Sequence, residues 1–285
     1  MDSVMQLGDI TVRRIVEHNI PVYRPTDIFD EATPQAVEKY RDWLEPKALC
    51  PRTGCLVMPV LSYLVQTRHH TILIDTCVGC NKTYAEPPEW HQRSNKSWLA
   101  NLINAGVSPE DIDYVFCTHL HSDHCGWNTQ LVNGRWVPTF PNATYVFSRA
   151  ECQAMEEEGG EIFVDNLLPI LEAKQAQLVE LDYALDDQIW LQPTVGHSVG
   201  HVAVHLKSGE HRAVMCGDLI HSPLQLKEPG WSCNSDFDLA AAAETRIRFL
   251  NEHCDNDTLI LTSHFPLPSM GYIVTRGNKF DFSYI

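Results

Sequence analysis

Three imidazoles and a carboxylate fall within six residues in the run His119-Leu-His121-Ser-Asp123-His124, directly after the apolar stretch DYVFCT. If that stretch is a strand, His119 and His121 are two apart and project to the same side. A turn at Ser122 then aims Asp123 and His124 at a second point nearby. Imidazole nitrogen together with carboxylate oxygen suits a borderline cation such as Zn²⁺. The bland alternative, an exposed histidine cluster at a strand end, requires these residue types to meet at ligand spacing by coincidence. Further along, Gly196-His197-Ser-Val-Gly200-His201 places a histidine where the run VAVHL begins, Asp218 closes the run AVMCG, and His264 follows TLILTS. Ligands gathered from several strand ends onto loops are a common way for a rigid scaffold to build a site.

The elements that must position these residues alternate between strand and helix patterns. Strand signals cover Ile10–Val16, Leu56–Gln66, Thr71–Asp75, Tyr114–Thr118, Thr144–Ser148, Val202–Leu206, Ala213–Gly217 and Thr258–Thr262. Helix signals cover Pro34–Leu44, Ser97–Ala105, Arg149–Glu157, Phe163–Ala173 and Phe237–His253, the last with Asp236 as N-cap and an Ala-rich interior. Two strand blocks, each followed by helices, suit a layered α/β or α+β arrangement. No linker divides the chain, so a single domain over residues 1–285 is expected, with residues 1–55 a pocket or dimer-contact extension.

Composition narrows the function class. The 285 residues are 44% hydrophobic and 20% charged, enough for a full core. Net charge is -16 with no Lys/Arg cluster, which argues against nucleic acid as a partner. No stretch is long and apolar enough for a bilayer, and MDSVMQLGDITVRR lacks the pattern of a secretory signal. A cytoplasmic protein with no membrane partner is expected. The ten cysteines are then reduced by default, and the CxxC pair Cys77 and Cys80 has no second pair to complete a zinc site. His205 and His211 read as strand or surface histidines, His69-His70 as an exposed turn pair, and Cys125 as a packed thiol.

The set HxHxDH, GHxxGH, GD and SH, in that order and at these spacings, resembles the metallo-β-lactamase fold superfamily, from Thr71 to about Ile273. The resemblance implies an α+β fold, an αβ/βα four-layer sandwich of two mixed β-sheets flanked by helices. It also implies a site for two divalent metal ions, Zn²⁺ first with Mn, Fe or Co as alternatives. On that resemblance His119, His121 and His201 hold the first metal, Asp123, His124 and His264 the second, and Asp218 bridges both. Asp75 would orient the histidine loop from behind the ligands. His197 would be a supporting residue, since the second histidine of GHxxGH is the usual ligand.

Within the superfamily, Asp218 argues against the β-lactamases that carry cysteine at that position. The complete ligand set disfavours the mononuclear persulfide dioxygenases, and the charge disfavours the RNA-processing branch. Glyoxalase II-like thioesterases are disfavoured because only about 20 residues follow His264. The segments THLHSDHCGWNTQLVNGRWVPTFPNATYVFSRAE and GDLIHSPLQLKEPGW are most similar to the N-acyl homoserine lactonases and methyl parathion hydrolase. The implied reaction is attack of a metal-bridged hydroxide on an ester or lactone, a quorum-quenching lactonase activity. Asp123 would orient the nucleophile and His221 would contact substrate. Several lactonases place a tyrosine where His221 stands, and phosphotriesterase-like relatives carry histidine, so organophosphate triester hydrolysis is the alternative. A metal-binding protein without catalysis is a further one. Aromatic-rich insertions at Pro21–Trp43, Tyr84–Trp98 and Ser222–Trp231 nominate Trp90, Trp127, Trp231 and Phe265 as walls of a small-molecule pocket, with ordinary packing equally compatible. A homodimer is compatible with all of this.

Overall fold

A computed structural model describes residues 4–84 and 87–285, so two residues of the Tyr84–Trp98 insertion lie outside the described residues. The contacts divide the chain into two compact units: Met1–Glu17 with Val60–Tyr183, and His18–Pro59 with Ala184–Ile285. No helix among the described residues is long and apolar enough to cross a membrane.

In the first unit the strands are β1 (Val4–Leu7), β2 (Ile10–His18), β3 (Val60–Gln66), β4 (Thr71–Ile74), β5 (Tyr114–Phe116), β6 (Thr129–Val132), β7 (Arg135–Pro138), β8 (Thr144–Ser148) and β9 (Ala176–Val179). They form a sheet in the order β1-β2-β3-β4-β5-β8-β9 and a separate β6-β7 hairpin. β3 pairs with β4 antiparallel, while β4, β5, β8 and β9 run parallel. The central strands therefore read as unbroken apolar runs, as strands covered on both faces do. Helices Ser97–Asn104 and Arg149–Glu158 belong to the same unit, the second ending on Gly159 at φ 71. Trp98 stacks on Trp127 with ring centroids 5.5 Å apart at the heart of its core.

The loop that follows β4 is tied down by a buried carboxylate. Glu17 accepts from Val78 N (2.9 Å), Gly79 N (3.3 Å) and Trp127 Nε1 (2.8 Å). Burial pushes its pKa up, against the neighbouring Arg93 charge and these donors. Gly126 lies so close to this loop that a Cβ there would sit 1.9 Å from the Val78 carbonyl oxygen, which only glycine permits. The two loops that flank the histidine run are thereby locked backbone to backbone.

The second unit carries β10 (Ile189–Pro193), β11 (Val202–Ser208), β12 (His211–Met215), β13 (Thr258–Leu261), β14 (Met270–Arg276) and β15 (Lys279–Tyr284), hydrogen-bonded in that order. Only β12 and β13 pair in parallel; the other neighbours are antiparallel. The helix Leu239–His253 contributes Phe249 and Leu250 to a core with Val214, Ile260 and Ile273. Both sheets are mixed and accompanied by helices, the α+β class expected from the sequence.

Several boundaries differ from the sequence reading. The expected helix Pro34–Leu44 is two short turns, Pro34–Glu38 and Arg41–Leu44, because the Tyr40 backbone leaves helical dihedrals and its hydroxyl bonds Glu228. Phe163–Ala173 opens with a π turn, Phe163–Leu167, before Leu168–Glu172; Pro169 lacks the N–H that a regular helix would use there. The strand expected from Leu56 begins at Val60, since Leu56 and Val57 bridge instead to Leu49 and Pro21. Asp236 is not the cap of the long helix. Asp238 takes that place, accepting from Ala241 N at 3.0 Å, which leaves the Asp236 carboxylate for another partner.

Candidate functional site

In the first unit the histidine run leaves the end of β5, and Ser122–Cys125 forms the one-turn helix that supplies the expected bend. The His119 ring centroid lies 4.5 Å from that of His121 and 4.1 Å from that of His124. Asp123 Oδ2 is 3.7 Å from His124 Nε2. Behind them stands Asp75, wholly buried and held at φ 59 just beyond β4. Its Oδ1 accepts from Thr118 N at 2.7 Å, its Oδ2 from Thr118 Oγ1 at 2.9 Å, and Oδ2 also meets His124 Nδ1 at 2.8 Å. Thr118 Oγ1 is in turn 3.1 Å from His119 Nδ1. One carboxylate thus orients two of the histidines. Cys125 is buried beside them, its thiol pushed up to about 12 by desolvation, and behaves as packing.

In the second unit four imidazoles gather on Asp218, which occupies a single turn, Gly217–Leu219, after β12. His264 Nε2 lies 3.0 Å from Asp218 Oδ1. His221 Nε2 and His197 Nε2 lie 3.3 and 3.6 Å from Oδ2. The Asp218 backbone N–H donates to His201 Nε2 at 3.0 Å. The outer nitrogens are held as well. His201 Nδ1 meets Thr194 Oγ1 at 2.8 Å, His264 Nδ1 meets the Pro59 carbonyl at 2.9 Å, and His197 Nδ1 meets Asp236 Oδ1 at 2.7 Å. Donor atoms of His197, His221 and Asp236 all fall within 4.8 Å of one another. Burial opposes charging His221, but the facing Cys233 sulfur and the Asp218 carboxylate outweigh it and hold its pKa well above the usual imidazole value.

The donor chemistry suits divalent cations. A carbonyl oxygen only accepts, so the Pro59 contact puts the proton of neutral His264 on Nδ1 and leaves the Nε2 lone pair facing Asp218 Oδ1. A lone pair and a carboxylate oxygen 3.0 Å apart repel unless a proton or a cation lies between them. The Asp75 contact likewise leaves the His124 Nε2 turned toward Asp123. Outer nitrogens fixed by carboxylate or carbonyl, with the inner nitrogen aimed at acceptors, is the usual support of metal-bound histidine.

A comparison against family models matches residues 56–263 to the metallo-beta-lactamase superfamily. The chain belongs to this superfamily. Membership implies divalent metal binding, and the His and Asp groups above are its candidate holders. Among curated relatives, an N-acyl homoserine lactonase of Bacillus sp is 28% identical over 170 residues, 56% of this chain and 63% of the relative. The N-acyl homoserine lactonase AiiB of Agrobacterium fabrum is 33% identical over 78 residues, 24% of this chain and 28% of the relative. The chain therefore spans less than two thirds of the length of the curated relatives it matches. Among solved structures, the hydrolase AbOPH of the beta lactamase superfamily aligns with a TM-score of 0.82 at 22% identity, covering 100% of this chain and 97% of that one. AidC, a dizinc quorum-quenching lactonase in complex with an N-acyl-homoserine product, aligns at 0.81 and 23%, with the same coverages of 100% and 97%. At these identities the structural likeness speaks for the fold.

The remaining sequence candidates sort by burial. Trp127, Phe265 and Trp90 are buried in the cores of their own units, Trp127 on Trp98 and Phe265 edge-on to Phe282. These three are packing residues rather than open walls. Trp231 is half-buried against Phe29. His205 lies on β11, stacked on Trp190 and bonded to Gln192, away from Asp218. Asp236 is the residue that sequence reading misses, because it stands where a helix cap is expected. It lies 39 residues from His197, and no local motif links them.

Proposed function

We propose that this metallo-beta-lactamase superfamily member is a hydrolase of esters or lactones that works with two divalent ions. His119, His121 and His201 would hold one ion, and Asp123, His124 and His264 the other, with Asp218 common to both. The observation that carries this reading is the orientation of the donors. His124 and His264 each have Nδ1 committed to an acceptor and Nε2 turned to a carboxylate. When bound, the ions supply a water acidic enough to act at neutral pH and polarise the substrate carbonyl. The curated lactonase relatives favour a lactone of the N-acyl homoserine type as substrate, and Zn²⁺ is the first metal to test.

The chain's own groups then have distinct tasks. Asp218 would lower the repulsion between two cations held on either side of it. Asp123, 12% exposed and beside His124, orients the attacking water. His221 is three residues beyond Asp218, and its backbone N–H is fixed by Gln225 Oε1 at 2.7 Å. Its imidazole donates to the substrate oxygen or to the leaving alkoxide. Asp236 acts through His197, holding that ring against Asp218 Oδ2.

Phosphotriester hydrolysis is the second reading, favoured by histidine at position 221, since the same nucleophile can attack phosphorus. Turnover of an N-acyl homoserine lactone, an aryl ester and an aryl phosphotriester, measured side by side on metal-analysed protein, tests both readings. Close to two metals per chain and lactone or ester preference is the expected result. A large phosphotriester preference reverses the order of the two readings. Bound metal with no turnover on any of the three removes the hydrolase reading.

A further inference from the structure

Cys50 and Cys55 lie in the second unit and take no part in the chemistry above. Between them Pro51–Gly54 form a tight loop, with Gly54 at φ 69 and its N–H donating to the Cys50 carbonyl at 2.8 Å. Cys50 N–H donates to the Cys55 carbonyl, and Val57 N–H to the Ala48 carbonyl, both at 2.9 Å, on either side of the Leu49–Leu56 bridge. That pattern makes Cys50 and Cys55 directly opposed residues of an antiparallel pair. Such residues have Cα atoms about 5.5 Å apart and side chains on one face. Disulfides span Cα separations of about 4.4–6.8 Å.

The two thiols also meet a common neighbour. Cys55 Sγ lies 3.8 Å from the Thr53 carbonyl oxygen. The Thr53 hydroxyl, and then the N–H groups of Thr53 and Arg52, hold the Cys50 thiol below its ordinary pKa. Both residues are free thiols with partial exposure, shared only with Cys254 among the ten cysteines, whereas Cys77, Cys80, Cys117, Cys125, Cys152, Cys216 and Cys233 are buried. An accessible thiol with raised thiolate character, opposite a second thiol, is the arrangement that favours reversible oxidation.

We propose that Cys50 and Cys55 form a reversible oxidation site that closes to an intrachain disulfide under peroxide. The Cys50 thiolate attacks one oxygen of hydrogen peroxide, the O–O bond breaks, and hydroxide leaves, giving a sulfenic acid at Cys50. The Cys55 thiolate then displaces hydroxide from that sulfur and the S–S bond forms. Two thiol protons and two electrons pass to the peroxide, which ends as two waters, and a dithiol reductant reverses the bond. The loop neighbours Leu49 and Leu56 pack in one cluster with Leu224 and Cys233.

Trypsin locates the bond, and digesting only protein that runs as monomer on a non-reducing gel keeps an interchain Cys50–Cys55 bond from giving the same peptide pair. It cuts after Lys47, Arg52 and Arg68, so Cys50 and Cys55 fall alone in peptides 48–52 and 53–68. The reduced full chain is exposed to hydrogen peroxide, blocked with N-ethylmaleimide, digested without reductant and mapped by mass spectrometry. The expected result is a cross-linked 48–52/53–68 species as the dominant form of both peptides, lost on adding dithiothreitol. Cys55→Ser should instead accumulate a dimedone-trapped sulfenic acid at Cys50. Recovery of the two peptides separately, alkylated or over-oxidised, overturns the proposal. So does peptide 48–52 cross-linked to itself, which would mean bonding between chains.

Discussion

Replacing Asp75 by asparagine keeps the shape of the side chain and changes one property, because an amide has a donor where the carboxylate had a second acceptor. Asp75 Oδ1 serves Thr118 N at 2.7 Å, a contact the amide oxygen can keep. The amide NH₂ then faces His124 Nδ1, now 2.8 Å from Oδ2. Two donors cannot share that contact, so the imidazole must move its proton from Nδ1 to Nε2. That blocks the nitrogen proposed to hold metal. Losing the outer partner of a metal-bound histidine typically weakens metal affinity 10- to 100-fold, about 1.4–2.7 kcal/mol. The thermal midpoint of metal-free protein should move less than in Asp75→Ala, which strips every bond the carboxylate makes in a fully buried site. Metal content after dialysis against chelators of graded strength reads the affinity, and circular dichroism reads the fold. If Asp75→Asn keeps its fold and holds metal as tightly as the parent, the assignment of Nε2 as the coordinating atom of His124 is wrong.

Two further expectations rest on other parts of the chain. Asp218→Ala should lose at least one metal and nearly all turnover, while His221→Ala should keep both metals and alter kcat or substrate preference; Asp218→Ala with two metals and near-normal turnover would refute the bridging assignment. Lys82, 1% exposed, donates to Thr129 Oγ1 and the Asp165 carbonyl and lies over the Trp136 ring. Burial lowers its pKa from 10.5 to about 7. The unfolded chain then binds a proton that the folded chain lacks between those values, so stability should rise with pH across that window. At ~1.4 kcal/mol per pH unit the ceiling is about 5 kcal/mol. Urea denaturation at pH 7 and 9.5 should show this rise in the parent and a flatter response in Lys82→Met; parallel pH profiles would remove Lys82 as its source.

What the sequence by itself determined is the chemistry that is local in the chain. His119 to His124 sit on one strand end and one helical turn, so period and residue type already placed their imidazoles and carboxylate together. Gly196 at φ 133, Asp218 after β12 and His264 after β13 follow the same rule, since each is fixed by the element just before it. Tertiary structure decided what depends on partners distant in sequence. Asp236 resembles a helix cap until folding brings it within 2.7 Å of His197, while Asp238, two residues on, makes the cap. Trp127 reads equally as pocket wall or core until Glu17, 110 residues earlier, takes its indole N–H. The tautomers of His124 and His264 are likewise set by Asp75 and the Pro59 carbonyl, 49 and 205 residues away. A hydrogen bond has no sequence period, and only the folded chain shows which nitrogen of each ring is left to bind a metal.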